Sequence, residues 1–134
     1  MSRILALDFG SKRVGIALSD SSKTLASPYK TLENKGKDFI ISEIKKICNT
    51  NKIEKIVIGI PISLSGKEKA QARKVRAFAR FLAQKVALPI VFEDERFTSV
   101  IAIRFLKKIK KKKMPVDQIA AQIILQNYLD KLSY

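Results

Sequence analysis

Between Lys55 and Pro61 the chain reads KIVIGIP, an uncharged run of mostly β-branched residues behind a single lysine. A run this short and this apolar fits a strand covered on both faces, as parallel strands packed between helices are. The neighbouring sequence supplies the helices. From Asp38 to Cys48, Phe39, Ile40, Ile44 and Ile47 recur at helical spacing, and over 67–87 Val75, Phe78, Ala79, Leu82 and Val86 share one stripe. PIVFEDE (89–95) reads as a further strand, TSVIAIRFLKKI (98–109) as a helix and 117–131 as a final helix. Ahead of them, RILALD (3–8) and VGIALS (14–19) read as strands separated by the turn FGSKR. Residues 24–32 surround Pro28 and suit an edge strand, because proline cannot donate to a ladder. Three adjacent strands followed by alternating helix and strand predict an α/β fold. Its five-stranded mixed sheet is antiparallel on one side, parallel on the other and flanked by helices. The length of 134 residues, without repeat or linker, predicts one domain over 1–134.

Composition narrows the chemistry. The chain has no histidine, which removes Ser-His triads, histidine acid–base catalysis and most zinc sites. The single Cys48 rules out an internal disulfide framework and suits a reducing cytosol. Apolar stretches fall well short of the ~20 residues of a membrane helix. The opening MSRILALD is interrupted by an acid too early for a secretory signal. The expectation is a cytoplasmic protein with no membrane partner. Lysine and arginine number 27 against 12 acids, a net charge of +15 that predicts attraction to polyanions.

Against that excess the acids stand out. Asp8 ends the apolar run Leu5, Ala6, Leu7 at the carboxyl end of a strand, where α/β sheets build ligand sites. A buried carboxylate is costly unless paired, hydrogen-bonded or bound to metal. Asp8 either caps the GSK turn, pairs with Arg13, or binds a cation. FEDERF places Glu93, Asp94 and Glu95 together at another strand end. Alternation points Glu93 and Glu95 one way and Asp94 the other. Asp117 opens the last helix on the stripe of Ala121, Ile124 and Tyr128, where a first-turn acid also suits the helix dipole. Acids from two strand ends and a helix start suggest hard divalent cations with oxygen ligands.

The stretches DFGSKRVGIALSD, VIGIPISLSG, KVRAFARFLA, FEDERFTS and VDQIAAQIILQNYLD together resemble the YqgF family, also called RuvX. All these blocks occur in order over nearly the whole chain. The resemblance implies an RNase H-like fold and a nuclease maturing the 5′ end of pre-16S rRNA in ribosome biogenesis, or a Holliday junction resolvase. It implies metal-binding and catalytic roles for Asp8, Glu95 and Asp117, with Asp94 as a neighbouring or alternative ligand. Many RNase H-like nucleases carry an acid after the fourth strand. Here that strand ends in GIP, and the family's Asn and Asp in the following turn are replaced by Ser63 and Ser65 before Gly66. The opening stretch is also similar to the first phosphate hairpin of actin-like ATPases and sugar kinases. Those proteins duplicate the domain, whereas this chain carries one copy.

Basic residues complete the expectation. Lys69, Arg73, Arg76 and Arg80 form one helical stripe, and RFLKKIKKKK (104–113) adds seven positive charges without an acid. Arg13 and Arg96 lie near the candidate ligands and could hold phosphate. The expected nucleic-acid contacts are Arg13, Arg73, Arg76, Arg80, Arg96, Lys110, Lys111 and Lys112. The reading is a hydrolase using Mg²⁺ or Mn²⁺, two ions in all, on nucleic acid. Pre-rRNA is the favoured substrate, with branched DNA as the alternative. A third reading is a non-catalytic RNA-binding assembly factor meeting ribosomal particles. The chain is expected as a monomer or weak homodimer.

Overall fold

The structure, a computed structural model, describes residues 2–61, 70–94 and 116–132. Three strands come first: β1 (Arg3–Phe9), β2 (Arg13–Ser19) and β3 (Ala26–Glu33). Helix α1 (Lys37–Asn51), strand β4 (Ile53–Ile60), helix α2 (Ala70–Lys85), strand β5 (Ile90–Asp94) and helix α3 (Val116–Leu132) follow. The sheet order is β3-β2-β1-β4-β5. β1 pairs antiparallel with β2 and parallel with β4; β2 pairs antiparallel with β3, and β4 parallel with β5. This is the mixed sheet that the sequence predicts. The expected helix over 98–109 lies outside the described residues, as does the predicted start of α2 at 67–69.

The two faces of the sheet follow from strand alternation. Leu5 and Leu7 of β1 with Ile56 and Ile58 of β4 join Ile40, Ile44, Val75, Phe78 and Leu82 in a core under α1 and α2. Ile4 and Ala6 with Val57 join Ala121, Ile124, Leu125 and Leu129 in a second core under α3. KIVIGIP is therefore buried on both faces, as its composition requires. Pro28 sits in the edge strand β3, where the missing N–H costs no interior ladder bond.

Side chains lock α3 to the sheet. Glutamines 118, 122 and 126, one per turn, reach β3 and the turn that precedes it. Gln126 accepts from the Ala26 N–H at 2.9 Å, and Gln122 donates to the Ala26 carbonyl at 3.1 Å. Gln126 also donates to the Thr24 carbonyl at 3.0 Å, while the Thr31 hydroxyl donates to Gln118 at 3.1 Å. Near the other end, Lys131 donates to the buried Glu93 of β5 at 2.6 Å, and Lys55 donates to the Tyr128 hydroxyl at 2.9 Å. Among the described residues no buried side-chain polar atom lacks a hydrogen-bond partner.

Candidate active site at the carboxyl edge of the sheet

β1, β4 and β5 are parallel, so their carboxyl ends share one edge of the sheet. Asp8 stands at that edge. It continues the alternation of Ile4 and Ala6, which puts it on the α3 face, and it is half-buried. Its cross-strand partner is Gly15. Directly opposed residues of an antiparallel pair present their β-positions to the same face. At Gly15 that position is filled by the backbone of α3: a β-carbon there would overlap the Asp117 carbonyl oxygen. The first turn of α3 thus lies directly on β2 beside Asp8. One missing side chain brings the acid from the start of the chain next to the acid opening the last helix.

Arg13, at the start of β2, donates from Nε to Asp117 Oδ2 at 2.9 Å. The pair is asymmetric, with 60% of the Arg13 side chain exposed against 23% of Asp117. Arg13 therefore orients one carboxylate oxygen while its guanidinium faces solvent. The turn that delivers it is tight, with the Gly10 N–H bonding the Arg13 carbonyl at 2.9 Å. Asn34, just after β3, braces this turn, donating to the Gly10 carbonyl at 2.9 Å.

The remaining candidates fall in three places. Asp94 pairs with Ile60, and its parity with Ile90 puts it on the α1–α2 face, away from Asp8 and Asp117. Arg73 and Arg80 project from α2 into solvent; Arg76 is half-buried, its guanidinium 5.1 Å from the centre of the Phe92 ring. Glu95, Arg96, Lys110, Lys111 and Lys112 lie outside the described residues, as do Ser63, Ser65, Gly66 and Lys69.

Two carboxylates with clearly lowered pKa lie at the opposite edge. Asp20 is held low by the Ser22 hydroxyl and by the Thr24 and Leu25 N–H groups, so it organises the β2–β3 turn. Glu54 is lowered by Lys23 and the Ser2 hydroxyl. Burial pushes the Cys48 thiol up to about 11, which keeps it protonated and inert. None of these adjoins Asp8.

The donor set at the Asp8 edge fits a hard divalent cation: carboxylate oxygens, with no sulfur or imidazole ligand nearby. Among the described residues no group of three acids is gathered for one ion. The two that are brought together, Asp8 and Asp117, are two of the three expected from the sequence. Sequence reasoning did not find Gly15, Asn34 or the α3 glutamines. The glutamines carry a visible signal, a spacing of four; Gly15 carries none without its partner.

The family described as RuvX, Holliday junction resolvase, matches residues 2–131. A protein of Fusobacterium nucleatum named "Putative pre-16S rRNA nuclease" is 44% identical over 136 residues, covering 97% of this chain and 98% of that protein. A protein of the same name from Maridesulfovibrio salexigens is 42% identical over 131 residues, covering 95% and 97%. Among solved structures, T. thermophilus RuvC in complex with Holliday junction substrate superposes with a TM-score of 0.64 at 12% identity, over 99% of this chain and 96% of that one. The fowlpox virus Holliday junction resolvase gives 0.60 at 15% identity, over 97% and 99%. At such identities these two bear on the fold, which is RNase H-like. The near-complete family match and the relatives above 40% identity, together with the motifs around Asp8 and Asp117, establish that the chain belongs to the RuvX family.

Proposed function

We propose that this chain is a metal-dependent endonuclease that hydrolyses phosphodiester bonds in structured RNA, maturing the 5′ end of pre-16S rRNA. The observation that carries the reading is the Gly15 contact, which sets the Asp117 turn beside Asp8 at the carboxyl edge of the sheet. The names borne by the relatives point to the same substrate class.

In this reading Asp8, Asp117 and Glu95 hold the ions, and Asp94, facing α2, stands behind that set. Mg²⁺ or Mn²⁺, two ions when bound, supplies a water of lowered pKa and charge compensation at the leaving oxygen. The protein's part is positional. Arg13 fixes the Asp117 carboxylate and turns its exposed guanidinium toward an arriving phosphate. Arg73 and Arg80, with the lysine-rich 104–113 stretch, attract the polyanion, and Glu95 or Asp117 orients the attacking water. The site belongs in the cytoplasm, where precursor rRNA and assembling ribosomal particles are found.

The test is Asp8→Asn, assayed on precursor rRNA and on a four-way DNA junction, with Mn²⁺ and with EDTA. Cleavage of the rRNA should fall by ~100-fold or more, while affinity for RNA stays close to wild type, because basic side chains supply the binding. Metal-free stability should hold or rise, since removing one of two neighbouring carboxylates relieves repulsion. The rise in Tm that Mn²⁺ gives the wild-type protein should vanish in the variant. A variant that melts early yet still cuts would make Asp8 a turn cap and overturn the site. Cutting confined to the junction would move the activity to branched DNA; no cutting of either would leave an RNA-binding assembly factor.

A further inference from the structure

On the other face of the same edge lies a groove of about 310 Å³ between α1 and α2. Its floor begins at Phe9, the residue after Asp8, whose ring stacks on Phe78 with centroids 4.2 Å apart and planes 14° from parallel. One turn further along α2, Phe81 is 40% exposed, an unusual place for a large aromatic residue. Lys37 holds its ammonium 3.5 Å from the centre of the Phe81 ring, and Lys74 lines the same groove. Apolar walls, a partly exposed aromatic ring and two lysines match the two halves of a nucleotide, a flat π-system joined to a phosphate. Among the described residues no acid lines the groove.

We propose that this groove receives one unpaired base of the RNA strand, stacked on Phe81, while Lys37 and Lys74 take the adjoining phosphate. Resting on the nucleic-acid reading above, the inference adds what that reading lacks, a contact that distinguishes unpaired from paired strands. The volume suits a single base at the lower end of small-ligand pockets. Lys37 already covers the ring as a cation–π partner, so a base that stacks there releases the ammonium toward its own phosphate. Because Asp8 and Phe9 are consecutive and point to opposite faces, a strand crossing the edge meets the acids on one side and the groove on the other. Stacking tolerates any base, so the groove reads strandedness and not sequence.

The test is binding in EDTA, where cleavage plays no part. The probes are an unstructured RNA about a dozen nucleotides long, within the usual reach of stacking platforms, and a blunt duplex of the same length. Phe81→Ala and Phe81→Leu should each weaken single-strand binding by roughly tenfold. Both should leave duplex binding and the salt slope within about twofold of wild type, and Phe81→Trp should restore the loss. Phe81→Leu keeps apolar bulk on the helix, so a loss there reports the missing π face. Unchanged single-strand affinity in Phe81→Leu would overturn the groove while leaving the nuclease reading intact. Equal loss for both probes would also overturn it, as a general weakening. A wild-type protein that binds neither probe would overturn the nucleic-acid reading and the groove together. Asp8→Asn tests cleavage independently of all these outcomes.

Discussion

Replacing Gly15 with alanine would set a β-carbon where the Asp117 carbonyl oxygen lies, with the Gln118 nitrogen only 2.8 Å away. Both obstacles are backbone, so no side chain can rotate aside; the first turn of α3 has to move. Gly15→Ala should cost on the order of 1–3 kcal/mol, as overpacking does. It should reduce cleavage by ~100-fold, well beyond what that loss implies, because displacing Asp117 spoils its alignment with Asp8. Thermal melting and single-turnover cleavage on one preparation check this; an active but less stable variant would uncouple Gly15 from the site. At this scale the sequence is informative where a residue contradicts its surroundings. Asp8 is such a residue, an acid closing an apolar strand. The face taken by Asp94 was legible as well, since strand alternation has a period of two. Gly15 was not, because a glycine inside VGIALS contradicts nothing until α3 is laid across it.

The helices and strands themselves differ in how plainly they announce their partners. The parallel strand β4 and the amphipathic α1 and α2 are readable because each pattern fits one period and one burial state. Helix α3 buries Ile119, Ala121, Ile123, Ile124, Leu125 and Leu129, a set that wraps around the helix. Apolar spacing therefore orients it only in part, through the stripe of Ala121, Ile124 and Tyr128 that packs on the sheet. Its glutamines fix the rest, by pairing with β3. The Ala26 N–H at the start of this strand has Gln126 as its acceptor. Gln126→Ala should cost about 1–3 kcal/mol, the penalty of leaving a buried donor unpaired. Gln122→Ala should cost less, because a carbonyl tolerates partial satisfaction better. Urea unfolding should show a lower midpoint with an unchanged slope; a full-stability Gln126→Ala protein would show that packing alone seats the helix.

Across the whole molecule, +15 net charge predicts binding that weakens steeply with salt. The fold refines which arginines carry that dependence. Arg73 and Arg80 are exposed, whereas Arg76 is half-buried against Phe92. Neutralising Arg73 and Arg80 to glutamine should reduce the slope of log affinity against log salt by roughly 1.5 units. Adding Arg76→Gln should change it less. Fluorescence titration of RNA across a salt series measures this, and an unchanged slope would make the α2 stripe a merely solvated face. The topology of the sheet was readable because three consecutive strands and the later alternation leave few un-knotted arrangements. The closure of the site was not, since it depends on one close approach between distant segments. The Arg13–Asp117 pair spans 104 positions of chain. At ~5–20 residues per second, a ribosome takes roughly 5–20 s to travel from one partner to the other. Late in that interval α2 with its arginines has already been made, while Asp8 still waits on a sheet face that α3 has yet to cover. The newborn chain thus becomes able to hold a polyanion before it is able to cut one, and a chain halted before α3 is left with grip and no blade.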